Sequence, residues 1–219
     1  MTQSSTAAVA RRDRLESLFH GSPIVPVITI ERAEDAVPLA EALVAGGIRA
    51  VEITLRTPAA YEAAKVIRAH VPQAIVGIGT VLTADDLAKA QDLDAAFALS
   101  PGSTPELLDA AAKRDLPFVP GIATASDLIA AVTRGFDIVK FFPAISAGGI
   151  PALKALSGPF PNVRFCPTGG IGEADAQEWL ASPNVIAIGG SWIAPAADIK
   201  RKAWTEISER ARRVSLTLT

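Results

Sequence analysis

From Pro23 onward, short apolar runs alternate with longer amphipathic stretches. The runs are rich in Val, Ile or Phe: IVPVITI from Ile24, AVEITL from Ala50, IVGIGTV from Ile75 and AAFALSP from Ala95. They continue with PFVPGI from Pro117, IVKFFPA from Ile138, VRFCPTGGI from Val163 and VIAIGGSW from Val185. Each has the length and β-branched content of a strand, and the Ala/Leu-rich stretches between them have helical spacing. Helix starts are signalled at Thr57-Pro58, at Thr83 before Ala-Asp-Asp, and at Ser103-Thr104-Pro105, where a capping hydroxyl precedes proline or acid.

Alternation this tight implies parallel strands with helices packed outside them. The eight units predict a closed (β/α)8 TIM barrel as one domain over residues 1–219. An open doubly wound sheet is the alternative, but the first strand–helix turn has no G-x-G-x-x-G. The N-terminus, MTQSSTAAVARRDR, is small and polar and then basic. It reads as a flexible tail over residues 1–12, leading into a short helix at residues 15–19. Residues 196–213 read as a solvated amphipathic outer helix.

Composition narrows the function classes. The chain of 219 residues has 49% hydrophobic and 20% charged positions, an ordinary globular balance. A formal net charge of −2 argues against a nucleic-acid surface, which needs clustered Lys and Arg. No apolar run reaches membrane-spanning length, and the N-terminus lacks a signal-peptide core. The single cysteine, Cys166, excludes an intrachain disulfide, fits a reducing cytoplasm and reads as core packing. No His/Cys/carboxylate cluster has metal-ligand spacing, so no metal is expected. His20 and His70 read as surface or capping residues, Trp179 and Trp204 as packing residues.

In a barrel of this type the chemistry sits at the C-terminal ends of the strands. Period two puts Glu52, Thr54 and Arg56 on one face, with Val51, Ile53 and Leu55 on the other. A carboxylate pointing into a barrel is costly unless paired or used. Strand three ends in Gly77-Ile78-Gly79-Thr80, whose threonine offers one hydrogen-bonding group. Strand six contains Lys140 in an otherwise apolar run. A lone strand lysine is more often a structural, ion-paired residue. Yet burial disfavours the ammonium, and a neutral amine can attack a ketone to form a Schiff base. With Glu52 as a proton shuttle on another strand, the catalytic reading becomes the stronger one. Glycine turns follow the last two strands, Thr168-Gly169-Gly170 and Gly189-Gly190-Ser191. Backbone amides in such turns, helped by following helix N-termini, are suited to phosphate.

Taken together, IVPVITI, ALVAGGIRAVEITLRT, IVGIGTVL, SPG, PFVPGI, VKFFPA, GPFPNVRFCPTGGI and IGGSW resemble the 2-keto-3-deoxy-6-phosphogluconate (KDPG) / 4-hydroxy-2-oxoglutarate aldolases. The resemblance runs in order from Pro23 to Pro195. It implies a class I aldolase barrel that cleaves KDPG reversibly to pyruvate and glyceraldehyde 3-phosphate. It also implies possible cleavage of 4-hydroxy-2-oxoglutarate to pyruvate and glyoxylate. By that resemblance Lys140 is the Schiff-base lysine and Glu52 the general acid/base. Arg56 and Thr80 meet the keto-acid end, and Pro101 and Phe142 line the pocket. Thr168, Gly169, Gly170 and Ser191, with Gly189 and Gly190, cradle the phosphate. It further implies no cofactor and a homotrimer. Two alternatives stay open: the same chemistry on the galactonate epimer, and a noncatalytic sugar-phosphate-binding barrel. One departure is visible, since family members often carry an acid where this chain has Ile145.

Overall fold

The computed structural model describes residues 3–217, with side chains from residue 9 onward. In chain order the elements are α1 (Gln3–His20), β1 (Ile24–Ile28), a 3-10 turn (Ala33–Asp35), α2 (Ala36–Ala45), β2 (Ala50–Thr54), α3 (Ala60–His70), β3 (Ile75–Gly79), α4 (Ala84–Asp92), β4 (Phe97–Leu99) and α5 (Pro105–Ala112). They continue with β5 (Phe118–Val119), β6 (Gly121–Ile122), α6 (Ala125–Val132), β7 (Ile138–Phe141), α7 (Gly149–Ser157), β8 (Arg164–Phe165), α8 (Ala176–Leu180), β9 (Ile188–Gly190), α9 (Ala196–Lys200) and α10 (Trp204–Thr217).

Every named strand pairing is parallel. One sheet has the order β5-β4-β3-β2-β1-β9 and the other β6-β7-β8. Isolated parallel bridges, Phe165 to Val185 and Thr168 to Gly189, connect the last two strand segments. The run PFVPGI, expected as one strand, is split into β5 and β6 at Pro120, which has no N–H to give the ladder. Its carbonyl still accepts from the Lys140 amide at 2.8 Å.

Period two along these curled strands sorts side chains into two apolar clusters. The outward set, including Ile28, Val51, Ile53, Val139 and Phe141, packs against the helices. The other set gathers Val25, Ala50, Phe97, Leu99, Val119, Ile138, Cys166 and Ala187 around Leu15 and Phe19 of α1. Phe19 meets Phe97 edge to face, with ring centroids 5.8 Å apart. So α1 plugs the N-terminal end of the strands and leaves their C-terminal ends for polar groups.

Several local expectations hold. Thr83 makes a full capping box with Asp86, and Thr104 caps α5 with Pro105 in its first turn; Thr124, not among the expected starts, makes a second box with Asp127. Trp179 is buried in α8, and Trp204 packs against the core from the start of α10.

Three expectations change. α1 starts at Gln3, so the segment read as a tail is helical from residue 3; residues 1 and 2 lie outside the described residues. Arg12 and Arg14 tie it down through Asp137 at 2.6 Å and Asp115 at 2.9 Å, and Arg11 donates to the Arg114 carbonyl. Thr57 does not cap α3, because its hydroxyl donates to the Ile30 carbonyl instead. The predicted outer helix at 196–213 is two helices, α9 and α10, broken where Lys202 adopts a φ of 57°.

Asp198 fastens that broken end. It pairs with Arg210 at 2.9 Å and Arg201 at 3.1 Å. Burial pushes its carboxyl up, but the hydrogen bonds from Arg210 and Arg201 outweigh it and hold the group below the usual carboxylate range. Its stabilisation is therefore present above the unfolded value of about 4 and is lost as pH falls through the depressed folded value. Asp198→Asn is expected to cost about 1–3 kcal/mol at neutral pH. Thermal melts from pH 7 to pH 3 check this, because the gap between the two proteins must narrow as the medium acidifies.

Among the described residues, no helix is long and apolar enough to cross a membrane, and no group of three or more His, Cys, Asp or Glu could hold a metal.

Candidate active site

Two charged side chains meet inside the curled strands. Glu52 sits mid-β2 and Lys140 mid-β7, 1% and 3% exposed. The Lys140 Nζ donates to the Glu52 Oε1 at 2.9 Å. Desolvating two charges costs several kcal/mol per ion, so such a pair is weak support for stability and stronger support for a chemical task. The chain makes room for it. A Cβ at Gly79 would lie 2.1 Å from the Glu52 Oε1, so any side chain there would displace the carboxylate. Register places Glu52 beside Gly77, and Lys140 beside Gly121.

The remaining site positions ring this pair. Phe142 is half-buried, its ring centroid 5.6 Å from the Lys140 Nζ. The same ring lies 3.2 Å from where a Cβ of Gly169 would be, so Phe142 spans the distance between the lysine and the glycine turn. The Pro101 backbone packs against Gly121, the register neighbour of Lys140. Thr80 closes β3 half-buried, with a φ of 61°. A β-branched residue in the left-handed region costs of order 1–3 kcal/mol, a strain that gathers at functional sites.

Arg56 departs from the expectation that it shares the inward face of Glu52 and Thr54. β2 ends at Thr54, and the Arg56 amide turns back to the Thr54 carbonyl at 2.8 Å. Period two stops where the strand stops, and Arg56 is exposed beyond the strand end.

The two glycine turns differ. Gly189 and Gly190 lie buried inside β9, paired with Val25 and Pro26 of β1. The Gly189 amide already donates to the Pro167 carbonyl at 2.9 Å, so it has no proton left for a ligand. Gly169 and Gly170 lie outside any strand, with φ of 104° and 81°, conformations that favour glycine. The Gly169 carbonyl accepts from the Ile145 amide at 3.1 Å, while neither glycine's amide donates to a protein group among the described residues. Two successive amides left without a protein partner are available to an anion. Thr168 is buried beside them and Ser191 is exposed. The helices expected to add a dipole start later, at Ala176 and Ala196, and span five residues each. Ile145 is 45% exposed and stands against Gly170.

Cys166 lies in the inner apolar cluster, and burial pushes its thiol up to about 12. It is an inert packing group at neutral pH.

Ser100 has a role that its place in SPG does not announce. It is fully buried; its hydroxyl accepts from the Gly121 amide at 3.0 Å and contacts the Ser103 hydroxyl. It thereby holds the strand segment beside Lys140 where Pro120 interrupts the ladder. A serine before proline looks like turn chemistry, so only the fold brings out this role.

The arrangement can hold a lysine amine against a carboxylate in a dry setting, near an aromatic ring, hydroxyls and two amides that meet no protein group among the described residues. Known proteins share the frame. The sequence model of the aldolase family described as KDPG and KHG aldolase matches residues 15–210. The KHG/KDPG aldolase of Escherichia coli K12 is 48% identical over 90% of this chain and 92% of its own length. The KDPG aldolase of Legionella pneumophila, solved with pyruvate captured as a covalent carbinolamine, is 48% identical with a TM-score of 0.88, over 91% of this chain and 97% of that one. That of Zymomonas mobilis ZM4, solved with 3-phosphoglycerate, is 44% identical with a TM-score of 0.85, over 92% and 96%.

Proposed function

This chain belongs to the KDPG and KHG aldolase family, and we propose that Lys140 and Glu52 are the groups with which it cleaves KDPG to pyruvate and glyceraldehyde 3-phosphate. The observation that supports this assignment is the buried Lys140–Glu52 contact at 2.9 Å.

The chemistry follows from that contact. Lys140 passes a proton to Glu52 and attacks the C2 ketone as a neutral amine. Glu52 returns that proton to the carbinolamine hydroxyl, which leaves as water and gives an iminium that accepts the electron pair when the C3–C4 bond breaks. Glu52, directly or through a water, takes the proton of the C4 hydroxyl, so the aldehyde leaves. The same group returns a proton to C3 of the enamine, and water then releases pyruvate and regenerates the amine. The reverse sequence makes the bond. The iminium is the electron sink, so the cleavage needs no further cofactor.

Arg56 and Thr80 are assigned to the carboxylate and keto-acid end, Arg56 by swinging inward from the rim with a bidentate fork. Pro101 and Phe142 wall the pocket. The Gly169 and Gly170 amides, with Thr168 and Ser191, take the phosphate and fix the position of the scissile bond. The phosphate reading rests on those two amides, and it favours KDPG over unphosphorylated 4-hydroxy-2-oxoglutarate.

The frame for this is a closed (β/α)8 barrel in one domain. The support is that β5 and β6 are halves of one strand around Pro120, and that bridges link the segments of β8 and β9. A homotrimer and a cytoplasmic setting belong to the same reading and rest on family resemblance.

Pyruvate release, coupled to lactate dehydrogenase with a chelator present, tests the function. KDPG should be cleaved, with kcat/KM above that for 4-hydroxy-2-oxoglutarate by about tenfold or more. Faster cleavage of the galactonate epimer would reassign the substrate. No pyruvate from any of the three would leave a noncatalytic binding barrel, and loss of activity with the chelator would overturn the metal-free mechanism.

A further inference from the structure

A pair of threonines stands one layer beyond Glu52. Register pairs Val27 with Glu52 and Ile28 with Ile53, so Thr29 follows opposite Thr54. Their hydroxyls are 3.2 Å apart. Thr54 is fully buried and donates to the Ile28 carbonyl at 2.8 Å. A hydroxyl has one proton and two acceptor lone pairs. The Thr54 proton is spent on Ile28, so Thr29 is the donor in the contact between them. The Thr29 oxygen then keeps its lone pairs, and no donor reaches them among the described residues. Thr54 thus fixes the polarity of Thr29, which can accept a hydrogen bond from a ligand and has no proton left to give one.

Thr29 is half-buried just beyond the C-terminal end of β1. Two residues of strand separate its layer from that of Glu52, roughly 6–7 Å along the strand. On the aldolase reading, a substrate anchored at Lys140 through C2, with its C4 hydroxyl at Glu52, has its next carbon within reach of this layer.

We propose that Thr29 accepts a hydrogen bond from the hydroxyl next along the substrate, on the aldehyde half, and so selects a hydroxylated aldehyde over glyoxylate. The inference rests on the aldolase reading above and extends it to the leaving half. In KDPG the group beyond C4 carries a hydroxyl. In 4-hydroxy-2-oxoglutarate it is a carboxylate, which offers no proton and meets the lone pairs of Thr29 unfavourably.

Thr29→Val keeps the shape and removes the acceptor. Its kcat/KM for KDPG should fall about tenfold, while that for 4-hydroxy-2-oxoglutarate stays level or rises. Thr29→Ser keeps the hydroxyl and should hold the wild-type ratio of the two. An equal fall on both substrates, or no change on either, overturns the proposal, as does a Thr29→Ser ratio displaced as far as that of Thr29→Val. Failure of the aldolase reading is a separate result: the wild-type protein would then release pyruvate from neither substrate, and this assignment would fall with it.

Discussion

Replacing Lys140 with alanine is expected to lower kcat for KDPG cleavage by on the order of 10⁵-fold, because the electron sink is built on this amine. The other polar groups of the site can still bind and orient a keto acid, but none offers a nitrogen that could become an iminium. Substrate binding should therefore survive in part, and titration with pyruvate or KDPG should still perturb the protein. The substitution also leaves the Glu52 carboxylate buried without its cation. Breaking such a pair costs about 3–5 kcal/mol, so a lowered melting temperature is expected alongside the loss of rate. Lys140→Met fills most of the volume and separates the two effects. It should recover packing without recovering turnover, and stopped assays at protein concentrations high enough to detect the residual rate will read the difference.

Glu52→Gln is the second large effect. The amide keeps the shape beside Gly79 and can still accept from Lys140, but it leaves the Lys140 ammonium without its anion, so a lowered melting temperature is expected beside the loss of rate. The amide cannot take the C4 hydroxyl proton or return one to C3. The expected loss in kcat is about 10²–10⁴-fold, with KM changed only a few-fold. Unlike Lys140→Ala, this variant retains the amine, so slow covalent capture of pyruvate should persist. A variant that retained wild-type turnover would show that another group or a water chain moves the proton.

How far the sequence anticipates this site follows from how local each feature is. The strands were legible because residues buried on both faces give short β-branched runs, and β1 and β2 are buried at every position. Lys140 and Glu52 were legible for the converse reason: each is a charge in such a run, and burial makes it expensive. The length of α1 was not legible, because no apolar stripe precedes Leu15. The helix is held instead by Arg12 and Arg14 on acids more than a hundred residues away, Asp137 and Asp115.

The two glycine turns show the same limit. Gly169-Gly170 and Gly189-Gly190 look equivalent in sequence, yet one pair leaves its amides free and the other lies in a sheet. The difference is set by where the strands end, as is the exposure of Arg56. Thr29 carries no signal in the sequence, because threonine is an ordinary strand residue. Its polarity is decided by Thr54, 25 positions away, and by the single proton of that hydroxyl.

Covalent capture of the keto-acid half of the substrate is what distinguishes Lys140 as a Schiff-base residue. Borohydride reduction in the presence of pyruvate, followed by peptide mapping by mass spectrometry, tests it most directly. The expected result is one reduced pyruvyl adduct, on the peptide containing Lys140, absent from Lys140→Ala and from a control without pyruvate. An adduct on another lysine, or none while the wild-type protein turns over, would contradict the account.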